Sequence, residues 1–174
     1  MYTSLFWIKE NTPGRLGIMP RPRGGDQLPE EIQSLALRKV DLLVSLLPQD
    51  EMHSLGLDQE AELCTQFGLH FYHFPLPDRL PPPDTVQALE LATELGQMLL
   101  HGRTVVLHDR LCGGRAASMA AATLVTLGLD PAESMVRVRA GRGMNIPDAQ
   151  VHMDWIHHIA VSVTSDGLAV DDPD

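Results

Sequence analysis

The chain has 174 residues, 44% of them hydrophobic and 21% charged, which suits one domain that buries its own core without staples. Its formal charge of -10, from 13 basic and 23 acidic residues, argues against a nucleic-acid surface, because neutralising phosphates needs a clustered excess of Lys and Arg. Two cysteines, Cys64 and Cys112, are too few for a disulfide framework and fit a reducing compartment. The opening MYTSLFWIKENTPGR lacks a basic n-region and a long apolar h-region, and no apolar run nears the roughly 20 residues that span a bilayer. A soluble, cytoplasmic protein is the expectation, without membrane association and without a cofactor.

In chain order, short apolar runs bounded by turn residues predict strands at 5–8, 15–19, 40–46, 71–74 and 104–107. The third and fifth are nearly continuous in apolar character, as in strands covered on both faces. Between them lie helical patterns. The first, 28–38, has Pro29 early and Ile32, Leu35 and Ala36 on one face. The second, 51–67, is interrupted at Gly56 and reads as two pieces. The third, 83–100, carries Val86, Leu89, Ala92, Leu95 and Leu99 at helical spacing, with Gly102 as a stop. Residues 115–127 are small and apolar nearly all round and predict a buried central helix. Helices at 131–140 and 148–161 complete the set. The alternation argues an α/β fold with a central, mostly parallel sheet flanked by helices. The domain is expected over 1–164, followed by an acidic disordered tail over 165–174.

The most informative stretch is TVVLHDRLCGGRAASMAAA, residues 104–122. A buried strand runs into a loop holding Gly113 and Gly114, and a small-residue helix begins near Arg115. Backbone N–H groups at a helix start reached through such a loop form an anion site, and a guanidinium there adds a bidentate grip. Physics alone leaves a second reading open, a plain strand-to-helix turn with a structural arginine.

This segment resembles the phosphate loop of the cysteine-based protein tyrosine and dual-specificity phosphatases, in which His-Cys, five residues and Arg wrap a phosphate. His108 matches the family His and Arg115 the family Arg, with Arg110, Leu111, Cys112, Gly113 and Gly114 between. Asp109 stands where the nucleophilic Cys is expected, Cys112 where Gly is usual, and Ala116 where Ser or Thr is usual. HFPLPDRLPPP, residues 73–83, resembles the loop carrying the family's general acid, with Asp78 in that role. The segment from 124 to 156 resembles the closing helices, with Gln150 near the place of a water-positioning Gln. RLGIMPRP resembles the opening strand. The likeness covers roughly residues 15–160 and is nearest to the compact phosphatases similar to the cyclin-dependent kinase inhibitor phosphatase.

The resemblance implies catalytic places for Asp109, Arg115 and Asp78. In the family a thiolate attacks phosphorus, its pKa depressed by the helix dipole, the loop amides and Arg. A carboxylate at 109 is a far weaker nucleophile. It would also sit as a built-in occupant of the cradle, gripped by Arg115, and repel substrate dianions. Cys112 lies only two residues before Arg115, too few to wrap a tetrahedral anion, and reads as a small, partly buried thiol. Ala116 lacks the hydroxyl that helps the family's cysteine leave.

The expected function is therefore a phosphatase-like domain without turnover, a pseudophosphatase, binding a phosphorylated or acidic protein or small molecule. Two alternatives are an active phosphomonoester hydrolase using Asp109 as nucleophile or base, and an engineered inactive form. A third is a domain whose cradle Asp109 fills permanently. The eight histidines, including His70, His73, His152, His157 and His158, show no recognised metal-ligand spacing. Met119, Met135, Met144 and Met153 read as core fillers. Arg137, Arg139 and Arg142 form a basic run, by default a solvated helix face, able to attract an acidic partner.

Overall fold

The computed structural model describes residues 2–143 and 149–167, with the side chains of 152–165 in the last helix. Five strands form one sheet: β1 (Phe6–Ile8), β2 (Arg15–Pro20), β3 (Leu42–Ser45), β4 (His70–His73) and β5 (Thr104–Asp109), in the order β1-β2-β5-β3-β4. β1 runs antiparallel to β2, and every other pairing is parallel. Seven helices are described: α1 (Leu28–Leu37), α2 (Gln49–Ser54), α3 (Glu60–Phe67), α4 (Thr85–Leu100), α5 (Gly114–Thr126), α6 (Pro131–Arg142) and α7 (Ala149–Gly167). A single 3-10 turn at Gly25–Gln27 precedes α1. The sheet and its helical cover match the expected architecture.

The central strand β5 is buried along its whole length, so its side chains divide between two cores by the period of two. Val105 and Leu107 join the core under α4, α5, α6 and α7, while Val106 joins the one under α1, α2 and α3. The same alternation sends His108 toward α3 and Asp109 toward α5. The site thus lies at the carboxyl ends of parallel strands, where an open α/β sheet leaves its crevice.

α5 is buried from Arg115 through Val125, as its small-residue composition predicts. It packs against α4, α6 and α7. α4 departs from expectation. Its buried face is Ala88, Leu91, Ala92, Leu95, Gly96 and Leu99, whereas Val86 is 66% exposed and Leu89 only half-buried. Small residues decide this: a Cβ on Gly96 would stand 2.8 Å from Thr126 Oγ1, so the helices meet closely there. α7 continues through Gly167, three residues into the stretch expected as tail, and residues 168–174 lie outside those described. Met119 and Met135 are core residues and Met153 packs on the core, as expected, while Met144 lies outside the described residues.

Glu10 gives the fold a pH dependence. Its Oε1 accepts from the Leu16 N–H at 3.0 Å. Burial pushes its carboxyl up to about 7, against the lowering pull of that bond and of Arg15 and Arg137. Folding therefore favours the protonated form. That contribution is complete below the ordinary carboxyl value of 4.5 and is lost as pH rises through about 7. Discounted for partial exposure, the loss should be about 1–2 kcal/mol. Urea unfolding at pH 5 and pH 8 should show Glu10→Gln losing less stability than the native chain across that interval. Parallel profiles would refute the assignment.

Candidate active site

β5 ends at Asp109 and α5 begins at Gly114, so residues 110–113 form a compact loop between them, with His108 on the strand and Arg115 on the helix. Asp109 is 2% exposed and its carboxylate faces into that loop. Oδ1 accepts from the N–H groups of Leu111 and Gly113 at 3.0 Å each. Oδ2 accepts from Gly113 at 3.1 Å and from Ala116 at 2.9 Å. Three amides near the start of a buried helix thus converge on one anion, which is the anion-cradle geometry. The anion is the chain's own.

Arg115 is 4% exposed but does not grip Asp109, contrary to expectation. Its Nη1 donates to Glu51 Oε1 at 2.9 Å and its Nη2 to Glu51 Oε2 at 3.3 Å, a two-pronged pair. Nη1 also donates to the Leu76 carbonyl at 3.3 Å. The reason is competition: amides already satisfy Asp109, while Glu51 offers a forked acceptor whose buried partner would otherwise be left unpaired. Glu51 comes from α2, just after β3, the strand beside β5.

The segment with Asp78 is tied along β3. Phe74 N–H donates to the Ser45 carbonyl at 2.9 Å and Leu76 N–H to Leu46 at 3.1 Å. His73 Nε2 lies 2.7 Å from the Leu47 carbonyl. This brings Asp78 Oδ1 to 4.0 Å from Arg115 Nη2, while Oδ2 lies 3.7 Å from Arg79 Nε. At 66% exposure Asp78 is open to solvent, beside the cradle rather than within it. The side chain of Gln150 lies outside those described.

Two further groups fix the loop. His108 is fully buried, with Nε2 at 3.0 Å from Glu60 Oε1, an equally buried carboxylate on α3. This is an ion-pair distance without the alignment of a hydrogen bond. Arg142, at the end of α6, donates from Nη2 to the Leu111 carbonyl at 2.9 Å and from Nε to the Cys112 carbonyl. Arg137 pairs with Glu133 at 2.8 Å. Two of the three arginines in the run are thus engaged: Arg142 holds the loop from outside and Arg137 is paired along its own helix.

Cys112 is fully buried rather than partly so, and adopts φ 58°, a left-handed conformation that costs a side-chain-bearing residue roughly 1–2 kcal/mol. Burial, then the Asp109 charge, push its thiol up to about 12 against the pull of Arg142. It is therefore a neutral thiol at physiological pH, not a nucleophile. Behind the loop, a Cβ on Gly114 would stand 2.4 Å from His152 Nε2, so glycine is required for this packing. Arg110 and Leu111 project outward at the loop tip, Leu111 being 71% exposed. Among the described residues no group of His, Cys, Asp or Glu is placed to hold a metal. None of their helices is long and apolar enough to cross a membrane.

Sequence reasoning missed Glu51, Glu60 and Arg142 as parts of this site. Only Glu51 left a signal, as a carboxylate just beyond β3, the strand that neighbours β5.

No family model matches the chain, and no curated protein matches it. Solved structures do. A kinase-associated phosphatase carrying serine in place of its catalytic cysteine superposes with TM-score 0.85 at 18% identity, covering 95% of this chain and 98% of the other. PTPMT1 in complex with PI(5)P gives 0.73 at 15% identity over 92% and 99%. Tk-PTP in its active form gives 0.69 at 23% over 85% and 92%. The chain has the protein tyrosine and dual-specificity phosphatase fold.

Proposed function

We propose that this chain is a pseudophosphatase of the protein tyrosine and dual-specificity type, whose phosphate loop is occupied by its own aspartate. The observation that carries this reading is the set of three loop N–H groups bonded to the Asp109 carboxylate at 2.9–3.1 Å. Those donors are the ones a phosphoryl group would need. Both carboxylate oxygens accept amide hydrogen bonds, which stabilises the anion and weakens it further as a nucleophile toward phosphorus or a base toward water. A guanidinium also stands beside the loop, Arg115 being held by Glu51 and lying 4.0 Å from Asp78. The loop's ligand class is a phosphorylated or acidic group, admitted only in competition with Asp109. A cytoplasmic location agrees with two buried, unbridged cysteines.

The test is release of phosphate from an aryl phosphate by the native chain and by Asp109→Ala. Both should stay at the buffer rate. Turnover by the native chain that disappears in Asp109→Ala would instead make Asp109 the working group of an active hydrolase.

A further inference from the structure

Away from the cradle, α4 and α7 leave a groove of about 760 Å³ between them. Val86 and Leu89 of α4 and Val163 of α7 give it apolar walls, with Glu90 and Glu94 on the α4 bank and His158 on the α7 bank. Val86 and Leu89 carry the helical spacing of a core stripe, yet Val86 is two-thirds exposed because α4 turns its small residues to α5. Glu90 and Glu94 are like charges one turn apart, an arrangement that weakens a helix unless a cation answers it. Among the described residues neither side chain makes an ion pair or a hydrogen bond.

We infer that this groove docks an amphipathic helical segment of a partner protein, with Lys or Arg along its polar flank. An apolar trough between two helices accepts the apolar stripe of a third, in the helix-in-groove mode. The unanswered acidic pair sets the sign of the charge beside that stripe and the orientation in which it lies. An acidic segment would meet repulsion along the α4 bank. The groove is separate from the phosphate loop: Thr126, which lines it, ends the helix that Gly114 begins, about 18 Å away at 1.5 Å per residue. Docking there leaves the cradle open and does not depend on how Asp109 behaves.

The probe is a fluorescein-labelled amphipathic peptide of Leu and Lys, titrated with the full chain and followed by anisotropy near 0.15 M salt. A Leu and Glu peptide of the same length serves as its counterpart. The Lys peptide should bind and the Glu peptide should not. Glu90→Lys with Glu94→Lys should weaken binding by about tenfold or more, and Val86→Ser by about threefold. Glu30→Lys with Glu62→Lys makes the same change in net charge at exposed positions of α1 and α3, and should leave the affinity within about twofold. Circular dichroism checks that each variant is folded. Equal weakening by both pairs would mean diffuse charge attraction and overturn the inference, as would equal binding of the two peptides or binding of neither. A native dimer in sedimentation that Val86→Lys dissociates would assign the groove to a second copy instead.

Discussion

Asp109→Cys should give the chain a measurable aryl-phosphate turnover that the native protein lacks, and adding Ala116→Ser should raise it again. The substitution removes the carboxylate that fills the loop and frees the N–H groups of Leu111, Gly113 and Ala116 for a phosphoryl oxygen or a thiolate. It also places a thiol at the start of a buried helix, where converging amides favour its ionised form. Arg115 is already fixed by Glu51 and the Leu76 carbonyl, so its guanidinium loses little freedom on meeting substrate. Preorganised donors of this kind supply much of the barrier lowering in phosphoryl transfer. A rise of about 100-fold or more over the native chain is expected from Asp109→Cys, on the scale of positioned donors acting on developing charge. Ala116→Ser should add roughly tenfold by assisting release of the phosphocysteine, about what one net hydrogen bond is worth. Asp78→Ala in that background should slow substrates with poor leaving groups more than activated ones. Its carboxylate stands 4.0 Å from Arg115 at the rim of the loop, within reach of a leaving group held there. A double variant that stays folded and inactive would place the defect outside residues 109 and 116.

The elements were legible because apolar runs and turn residues spoke together. β2 and β5 begin at the residues expected, and Gly56 divides α2 from α3 as the pattern suggested. The rotation of α4 was not legible. Its sequence offers two overlapping stripes, and large residues draw the eye to Val86 and Leu89. Packing chose the stripe with Ala88, Ala92 and Gly96, because α5 is itself built of small residues and rewards close approach. No property of α4 alone reveals that.

The candidate site divides in the same way. The 110–113 loop, Arg115 at the start of α5 and the Asp78 segment could be read because local spacing encodes them. The direction of the Arg115 guanidinium could not, since Glu51 lies 64 positions away and only the parallel pairing of β3 with β5 brings it near. Arg142 was hidden for a related reason. In sequence it belongs to a run of arginines, and only the fold shows its guanidinium turned onto loop carbonyls. Cys112 shows a local rule overridden. A non-glycine residue holds a left-handed conformation, and Arg142 fastens its carbonyl in place.

Asp109→Ser should make the chain less stable without phosphate and restore that stability when phosphate is added, whereas the native chain should respond to phosphate hardly at all. In the native protein the carboxylate completes three N–H groups near the start of α5, that of Ala116 buried and those of Leu111 and Gly113 partly so, and charged hydrogen bonds of this type contribute about 1.5–3 kcal/mol net. A serine hydroxyl can replace only part of that. The expected cost is roughly 2 kcal/mol, or a fall in Tm of about 4–8 °C for a chain of this length. The vacated donors are then free to converge on an added anion. Phosphate at about 100 times its Kd returns about 2.7 kcal/mol through binding to the folded state alone. In the native chain the same phosphate must enter against a carboxylate at contact distance, a repulsion of about 4 kcal/mol at 4 Å for an effective dielectric constant of 20. Thermal unfolding across a phosphate series at constant ionic strength, with calorimetric titration of both proteins, measures the two effects together. Sulfate should act as phosphate does and chloride should not, since only the tetrahedral anions match the converging amides. Equal phosphate affinity in the two proteins would mean that Asp109 does not occupy the site. A variant as stable as the native chain in the absence of phosphate would mean that its carboxylate does not hold the loop together.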